Sequence, residues 1–227
     1  LLKISLVAIK IEIFWLNFIH SSFIPCLPFM KFPIILNSAD QKRTIWSGGT
    51  TTELFIMPID CAFVERDFDF RISTATVELE ASTFTPLNGY KRVLMVMDGQ
   101  MTLEHESHHT AKLKKFDVDR FDGAWKTKSL GTCVDFNVIF RGDLTINPQG
   151  IVLMKGDWLR DQILNVHFVL VYCYAGELTI AHNESLFTLT KGDIWVCDSV
   201  VEGSLVFEAT TISDFVYLKI SKQVDGN

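Results

Sequence analysis

The sequence has no basic excess, no close cysteine pair and very little helical pattern, and each absence removes a class of function. Among 227 residues, 21 are Lys or Arg and 27 are Asp or Glu, for a net charge of −6. Binding nucleic acid calls for a basic face that neutralises phosphates, so no nucleic-acid partner is expected. The five cysteines are Cys26, Cys61, Cys133, Cys173 and Cys197. Their number is odd and none share C-x-x-C spacing, which argues against a disulfide framework or a zinc ribbon. They read as reduced thiols of a cytoplasmic protein, several in apolar strand-like runs. The longest apolar stretch, residues 11–29, is broken by Glu12, Asn17, His20, Pro25 and Pro28. A membrane span needs about 20 apolar residues, so no membrane partner is expected either. The only helix candidate is short, residues 157–164.

Residues 1–29 differ in composition from the rest, being rich in Ile, Leu and Phe with only Lys3, Lys10 and Glu12 charged. A secretory signal, an anchor and an in-frame extension upstream of a start at Met30 compete for this segment. No small-residue cleavage site precedes Met30, and the extension is the favoured expectation.

From Phe32 onward, short apolar runs alternate with turn signals such as Asn88-Gly89, Asp98-Gly99, Asp122-Gly123, Gly156-Asp157 and Gly192-Asp193. Short strands at this spacing predict an all-β sandwich or barrel. An internal repeat is also visible. GQMTL at 99–103 matches GELTI at 176–180, and Lys115-Phe116-Asp117 matches Lys191-Gly192-Asp193. Two landmarks at nearly one offset argue for duplicated hairpin units. The expected organisation is one unit over residues 30–145 and a second over 146–227.

Four blocks carry the chemistry: WSGGTTTEL (46–54), FDFRISTATV (68–77), FTPLNGYKR (84–92) and DFNVIFR (135–141). The first, second and fourth put polar or charged residues inside apolar strand-like runs. Buried polar groups are costly unless paired, so such strands often line a polar pocket. Together the blocks resemble the HutD/Ves family, most closely over residues 30–145. Thr83 and Thr85 stand where a more typical member has Gly and Ser, and the segment after Gly142 matches poorly. The resemblance implies an all-β, cupin-like (RmlC-like) β-barrel, here as two cupin-like units, a bicupin. It also implies a small organic acid as ligand, such as the histidine-degradation intermediates formylglutamate or urocanate. The family has no settled activity.

Many cupins hold a metal through H-x-H-x(3–4)-E-x6-G. Set against Gly99, those positions fall on Pro86, Asn88 and Arg92. Set against Gly176, they fall on Ile163, Asn165 and Val169. No ligand survives in either unit, and an Arg in place of the carboxylate favours an anion over a cation. No metal and no cofactor are expected. The cluster HESHH at 105–109 is the exception: its imidazoles and carboxylate have the chemistry to bind zinc or nickel, but it lies between two alternating runs and reads as a solvated hairpin tip. His167 and His182 are isolated.

Strand alternation puts Arg71, Ser73, Ala75 and Val77 on one face. Asp135, Asn137, Ile139 and Arg141 share a face of the last block. Arg71, Ser73, Arg92, Asp135 and Asn137 are therefore the candidate ligand-binding residues, since an Arg fork takes a carboxylate with two parallel hydrogen bonds. The competing structural roles are a strand-tying pair of Arg71 with Asp69 or Asp135, a rim charge at Arg92, and a plain polar turn at 46–54. No catalytic residue stands out. Ser47 and Ser73 lack evident His and Asp partners, Cys133 has no His nearby in sequence, and Glu78 and Glu80 read as exposed. The expectation is a binding protein with a regulatory or accessory role. A metal-independent isomerase or hydrolase and a ligand-free interaction protein are the alternatives, and a homodimer stays open.

Overall fold

The computed structural model describes residues 32–198 and 203–222. The leader up to Phe29, and with it the extension reading, lies outside them. Among the described residues the chain is built from strands, with one 3-10 turn at Ser38–Asp40. No helix there is long and apolar enough to cross a membrane.

The chain opens with β1 (Ile34–Leu36), then β2 (Lys42–Trp46) and β3 (Gly49–Met57), which form a hairpin. β4 (Phe70–Val77), β5 (Ala81–Thr83) and the long β6 (Lys91–His105) follow. After them come β7 (Thr110–Lys114), β8 (Val118–Asp122), β9 (Thr127–Leu130) and β10 (Cys133–Phe140). Strands β2 to β10 form one sheet in the order β2-β3-β4-β10-β6-β9-β5, and β7 and β8 also pair with β6.

The remaining strands are β11 (Leu144–Leu153), β12 (Trp158–Ile163), β13 (Phe168–Ala175), β14 (Glu177–His182), β15 (Ser185–Thr190), β16 (Ile194–Asp198), β17 (Gly203–Ala209) and β18 (Ser213–Lys222). They give a sheet in the order β1-β16-β13-β18-β11 and another in the order β12-β17-β14-β15.

Alternation decides which side chains fill which core. On β13, Leu170 and Tyr172 join a cluster with Ile72, Met95, Phe136 and Val138, so the nine- and five-stranded sheets pack face to face. Val169, Val171 and Cys173 point the other way, into a cluster with Leu178, Trp195 and Phe207 between the five- and four-stranded sheets. A strand buried on both faces reads as a continuous apolar run, as FVLVYCYA does. The nine-stranded sheet curls around a third cluster that includes Leu94, Val96, Leu103 and Phe121.

Residues 157–164 are not helical. They supply β12, which pairs antiparallel with β17. Trp158, Arg160 and Gln162 are exposed while Ile163 is buried, the alternation of an outer strand.

The repeated turns share one hydrogen-bond pattern. Phe116 N–H donates to the Val96 carbonyl and Gly192 N–H to that of Cys173, both at 2.7 Å. The following Asp closes each turn: Asp117 accepts from Lys114 N–H at 3.1 Å and Asp193 from Thr190 N–H at 2.9 Å. The Gly156-Asp157 turn repeats the pattern, with Gly156 N–H on the Ala209 carbonyl at 2.8 Å and Met154 N–H on Asp157 Oδ2 at 3.1 Å. This geometry requires a left-handed residue before the Asp. Gly192 meets it at φ 93°, whereas Phe116 adopts φ 69° despite its side chain. The Phe116 ring lies over Gly150 on β11, where a Cβ would stand 2.0 Å from the ring.

Gly176 joins β13 to β14 at φ 83°, and a Cβ there would lie 2.2 Å from the Ile212 carbonyl oxygen. Gly89 has a similar φ of 80° but open space around it. Gly89→Ala should therefore cost only the backbone penalty, about 1–2 kcal/mol. Gly176→Ala adds a clash with main chain and should cost about 3 kcal/mol or more. Urea denaturation of the two variants checks this; equal costs would contradict the close approach.

Candidate functional site

Strand β10 lies between β4 and β6, and its register places the polar side chains. Ile139 pairs with Arg71 on one side and with Arg92 on the other. The two arginines thus flank Ile139 on one face, about two strand spacings apart. One pleat along, Asn137 pairs with Ser73, and one further Asp135 pairs with Ala75. The opposite face of β10, with Phe136 and Val138, enters the apolar core.

Arg71, Ser73, Arg92, Asp135 and Asn137 all line one cavity of about 360 Å³. Ala75, Val77 and Ile139 share its walls, as alternation predicts. Arg141 does not: β10 ends at Phe140, and Arg141 holds Asp69 through Nε at 3.2 Å and Nη2 at 3.1 Å. Block 46–54 forms the β2–β3 hairpin, and from it Trp46 and Thr51 line the cavity. Phe63, Phe84 and Thr85 complete it from loops.

The two arginines differ. Arg71 Nε donates to Glu53 Oε2 at 2.6 Å, and Nη1 reaches Ser73 Oγ at 3.3 Å. Its guanidinium carbon sits 4.3 Å from the centre of the Phe63 ring, a cation–π contact. Arg71 therefore ties strands, but through Glu53 and not through Asp69 or Asp135. Glu53 lies opposite Ser73, beside an irregularity in the β3–β4 pairing. An acidic residue directly before the apolar run Leu54-Phe55-Ile56 was the available signal for it.

Arg92 is no rim charge, being only 5% exposed. Its Nη2 donates to the Thr85 carbonyl at 2.6 Å, and the guanidinium lies against the Phe84 ring. Its buried Nε has no partner. Burial pushes its pKa down to about 10, with Asp135 opposing and Arg71 adding to the fall; it remains a cation at neutral pH. The Asn137 side-chain oxygen is likewise buried without a donor. Two residues that line the cavity thus keep an unused group, a donor on Arg92 and an acceptor on Asn137, and each such group is costly while unsatisfied.

Asp135 is 4% exposed. Burial pushes its pKa up to about 7, outweighing the Ala75 backbone hydrogen bond and the Arg92 charge. The cavity consequently has Arg71 balanced by Glu53, the cationic Arg92 and a carboxyl whose ionisation burial suppresses. That sum favours an anion. Burial holds the Cys133 thiol up at about 12, and Glu78 and Glu80 are exposed.

The cluster at 105–109 is not a solvated tip throughout. His105 is 4% exposed and belongs to β6, while His108 and His109 are exposed. The strand runs two residues beyond the alternating segment that ends at Leu103, and carries His105 inward.

A family model described as HutD matches residues 38–213. A conserved protein of unknown function from Pseudomonas aeruginosa superposes with a TM-score of 0.71 at 21% identity, covering 85% of this chain and 100% of that one. HutD from Pseudomonas fluorescens, in a formate condition, gives 0.62 at 20% identity, covering 84% and 99%. Lactobacillus farciminis oxalate decarboxylase in its formate complex gives 0.64 at 9% identity, covering 86% and 88%. No curated protein matches the chain. These likenesses show the all-β, cupin-like fold.

The Asp135 shift has a measurable consequence. The folded carboxyl keeps its proton up to about pH 7, against about 3.9 in an unfolded chain. The folded state thus binds the extra proton, so this stability is fully present below about pH 4 and is lost as pH rises through about 7. The whole change is on the order of 4 kcal/mol at most. Wild-type melting temperature should fall between about pH 5 and pH 8 by a component that Asp135→Asn removes. Parallel melting curves for the two proteins would show an ordinary carboxylate.

Proposed function

Since this chain belongs to the HutD family, whose model it matches over residues 38–213, we propose that it binds a small organic acid in the Arg71–Arg92 cavity. The ligand class is a carboxylate of the size of a histidine-degradation intermediate, and the role is accessory or regulatory, in the cytoplasm. The observation that carries this reading is the buried Arg92 guanidinium. Its charge is largely desolvated, its Nε is unpartnered, and the ionisation of Asp135, whose charge acts on it, is suppressed by burial. A ligand carboxylate at Arg92 supplies both the charge and the acceptor. Asn137 lines the same cavity and its side-chain oxygen has no donor, which favours an acid that also carries an N–H or O–H donor.

Formylglutamate, with its amide N–H, and urocanate, with its imidazole, both fit that description. The formate condition of the Pseudomonas fluorescens structure is compatible with a carboxylate site, though formate itself offers no donor for Asn137.

One observation favours a second reading. A buried carboxyl with a pKa near neutrality, beside an arginine, suits proton transfer to or from a bound acid. Asp135 is then the acid–base group of a metal-independent isomerase or hydrolase. Product formation from the bound acid, abolished by Asp135→Asn with binding retained, would establish it.

Thermal-shift screening of dicarboxylates, formylglutamate and urocanate at millimolar concentration should identify a stabilising acid. Charge-assisted hydrogen bonds are worth about 1.5–3 kcal/mol each, so Arg92→Met should weaken binding about tenfold to a hundredfold. Arg92→Lys should also weaken it, because an ammonium makes no planar fork. Arg71→Met should lower the melting temperature as well, since it leaves the half-buried Glu53 without its partner. If no acid stabilises the wild type, or Arg92→Met binds it equally well, the proposal fails.

A further inference from the structure

Away from the Arg92 cavity, three metal-ligating side chains meet at the far end of β6. His105 Nε2 lies 2.8 Å from Asp119 Oδ2, and His109 Nε2 lies 3.0 Å from Asp119 Oδ1. The three donor groups all fall within 4.8 Å of one another. We propose that His105, His109 and Asp119 form a binding site for one divalent transition-metal ion. Two imidazoles and one carboxylate suit zinc, nickel, cobalt or iron, whereas magnesium and calcium prefer all-oxygen sites.

The backbone brings these residues together by two devices. A tight turn with Ser107 at φ 65°, closed by His108 N–H on the His105 carbonyl and His105 N–H on that of His109, carries His109 back beside His105. Asp119 pairs with Leu94, near the other end of β6. It meets His105 only because β6 curls over, beyond the irregularity between Val96 and Asp98 in its pairing with β10.

The surroundings match those of a metal ligand. His105 Nδ1 is 2.8 Å from the Thr127 hydroxyl, which is itself fully buried and lies 3.4 Å from the Trp125 carbonyl. With that hydroxyl donating to Trp125, Nδ1–H donates to the hydroxyl. With Nε2 unprotonated, its lone pair then sits 2.8 Å from a carboxylate oxygen, a pair of donors that one metal ion bound to both would satisfy. A partner that fixes the tautomer through the second ring nitrogen is characteristic of metal-bound histidine. A metal at about 2.0–2.1 Å from each donor separates neighbouring donors by about 3 Å. The two spacings to Asp119, 2.8 and 3.0 Å, lie near that value, and the exposed His109 is free to adjust the third. Trp125 and Phe121 wall the inner side: His105 sits 4.5 Å from the Phe121 ring centre, and His108 stacks on Trp125 at 3.7 Å. The His109 side chain is 44% exposed, so the ion has an open side toward solvent, as in sites with three protein ligands and an exchangeable fourth.

The competing arrangement needs no metal. The Thr127 hydroxyl donates to Nδ1, and both Nε2–H groups donate to Asp119. Full-length protein without a polyhistidine tag, stripped with chelator, separates the two. Titration calorimetry with zinc and with nickel, and the visible absorption of added cobalt, should show one equivalent bound, and zinc should raise the melting temperature. His109→Ala and Asp119→Asn should each weaken binding about 10–100-fold or more and abolish the zinc shift. Circular dichroism on both variants checks folding. His108→Ala, which removes a stacked but non-ligating ring, should leave the stoichiometry unchanged. Arg92→Met should bind metal normally, so this result stands or falls apart from the organic-acid reading. Absence of binding at about a hundred micromolar metal, or binding indifferent to His109→Ala and Asp119→Asn, would overturn the proposal and leave the hydrogen-bonded cluster.

Discussion

The register of β10 between β4 and β6 is the constraint on which the rest depends. Ile139 must face both Arg71 and Arg92, and Asn137 must face Ser73. A slip of one residue would turn every side chain of β10 to the other face. Asp135 and Asn137 would then enter the cluster that joins two sheets, and Phe136 and Val138 would enter the polar cavity. The sheet-to-sheet core and the cavity are therefore two faces of one decision. Phe136 and Val138, both essentially buried, hold the register that positions the polar groups behind them.

Placing charges inside such a sheet is expensive, and the protein meets the cost in two ways. Arg71 has a carboxylate partner at hydrogen-bond distance, a neighbouring hydroxyl and an aromatic ring. Arg92 has a carbonyl, a ring and the field of Asp135, whose own ionisation is suppressed by burial. The first arrangement is closed and reads as structural. The second is open, with a donor left over on Arg92. The division sets a fully partnered arginine beside one with a donor to spare, although both lie on one face.

Much of this was legible from the chain itself. Two-residue alternation is local, so the sharing of a face by Arg71, Ser73 and Ala75, or by Asp135, Asn137 and Ile139, follows from sequence. The repeat was legible because a left-handed turn closed by Asp leaves a short signature, as at Lys191-Gly192-Asp193. Three features were not. Glu53 as the partner of Arg71 depends on pairing between β3 and β4 and on an irregularity within it. The inward turn of His105 depends on how far β6 continues and curls, which no local pattern reports. Residues 157–164 alternate, but tertiary pairing with β17 decides that they are a strand.

The turn at Phe116 carries a consequence for substitution. In the turn of the same hydrogen-bond pattern at 191–193, the left-handed position belongs to Gly192, which meets it without a side chain. At Phe116 the aromatic ring occupies the space above residue 150, and that space exists only because residue 150 has no side chain. A side chain at 150 and the ring at 116 exclude one another where the ring now lies, so a change at either position is felt at the other. Two turns alike in backbone are thus unlike in what they depend on, and the one at Phe116 is tied to the residue opposite it on β11.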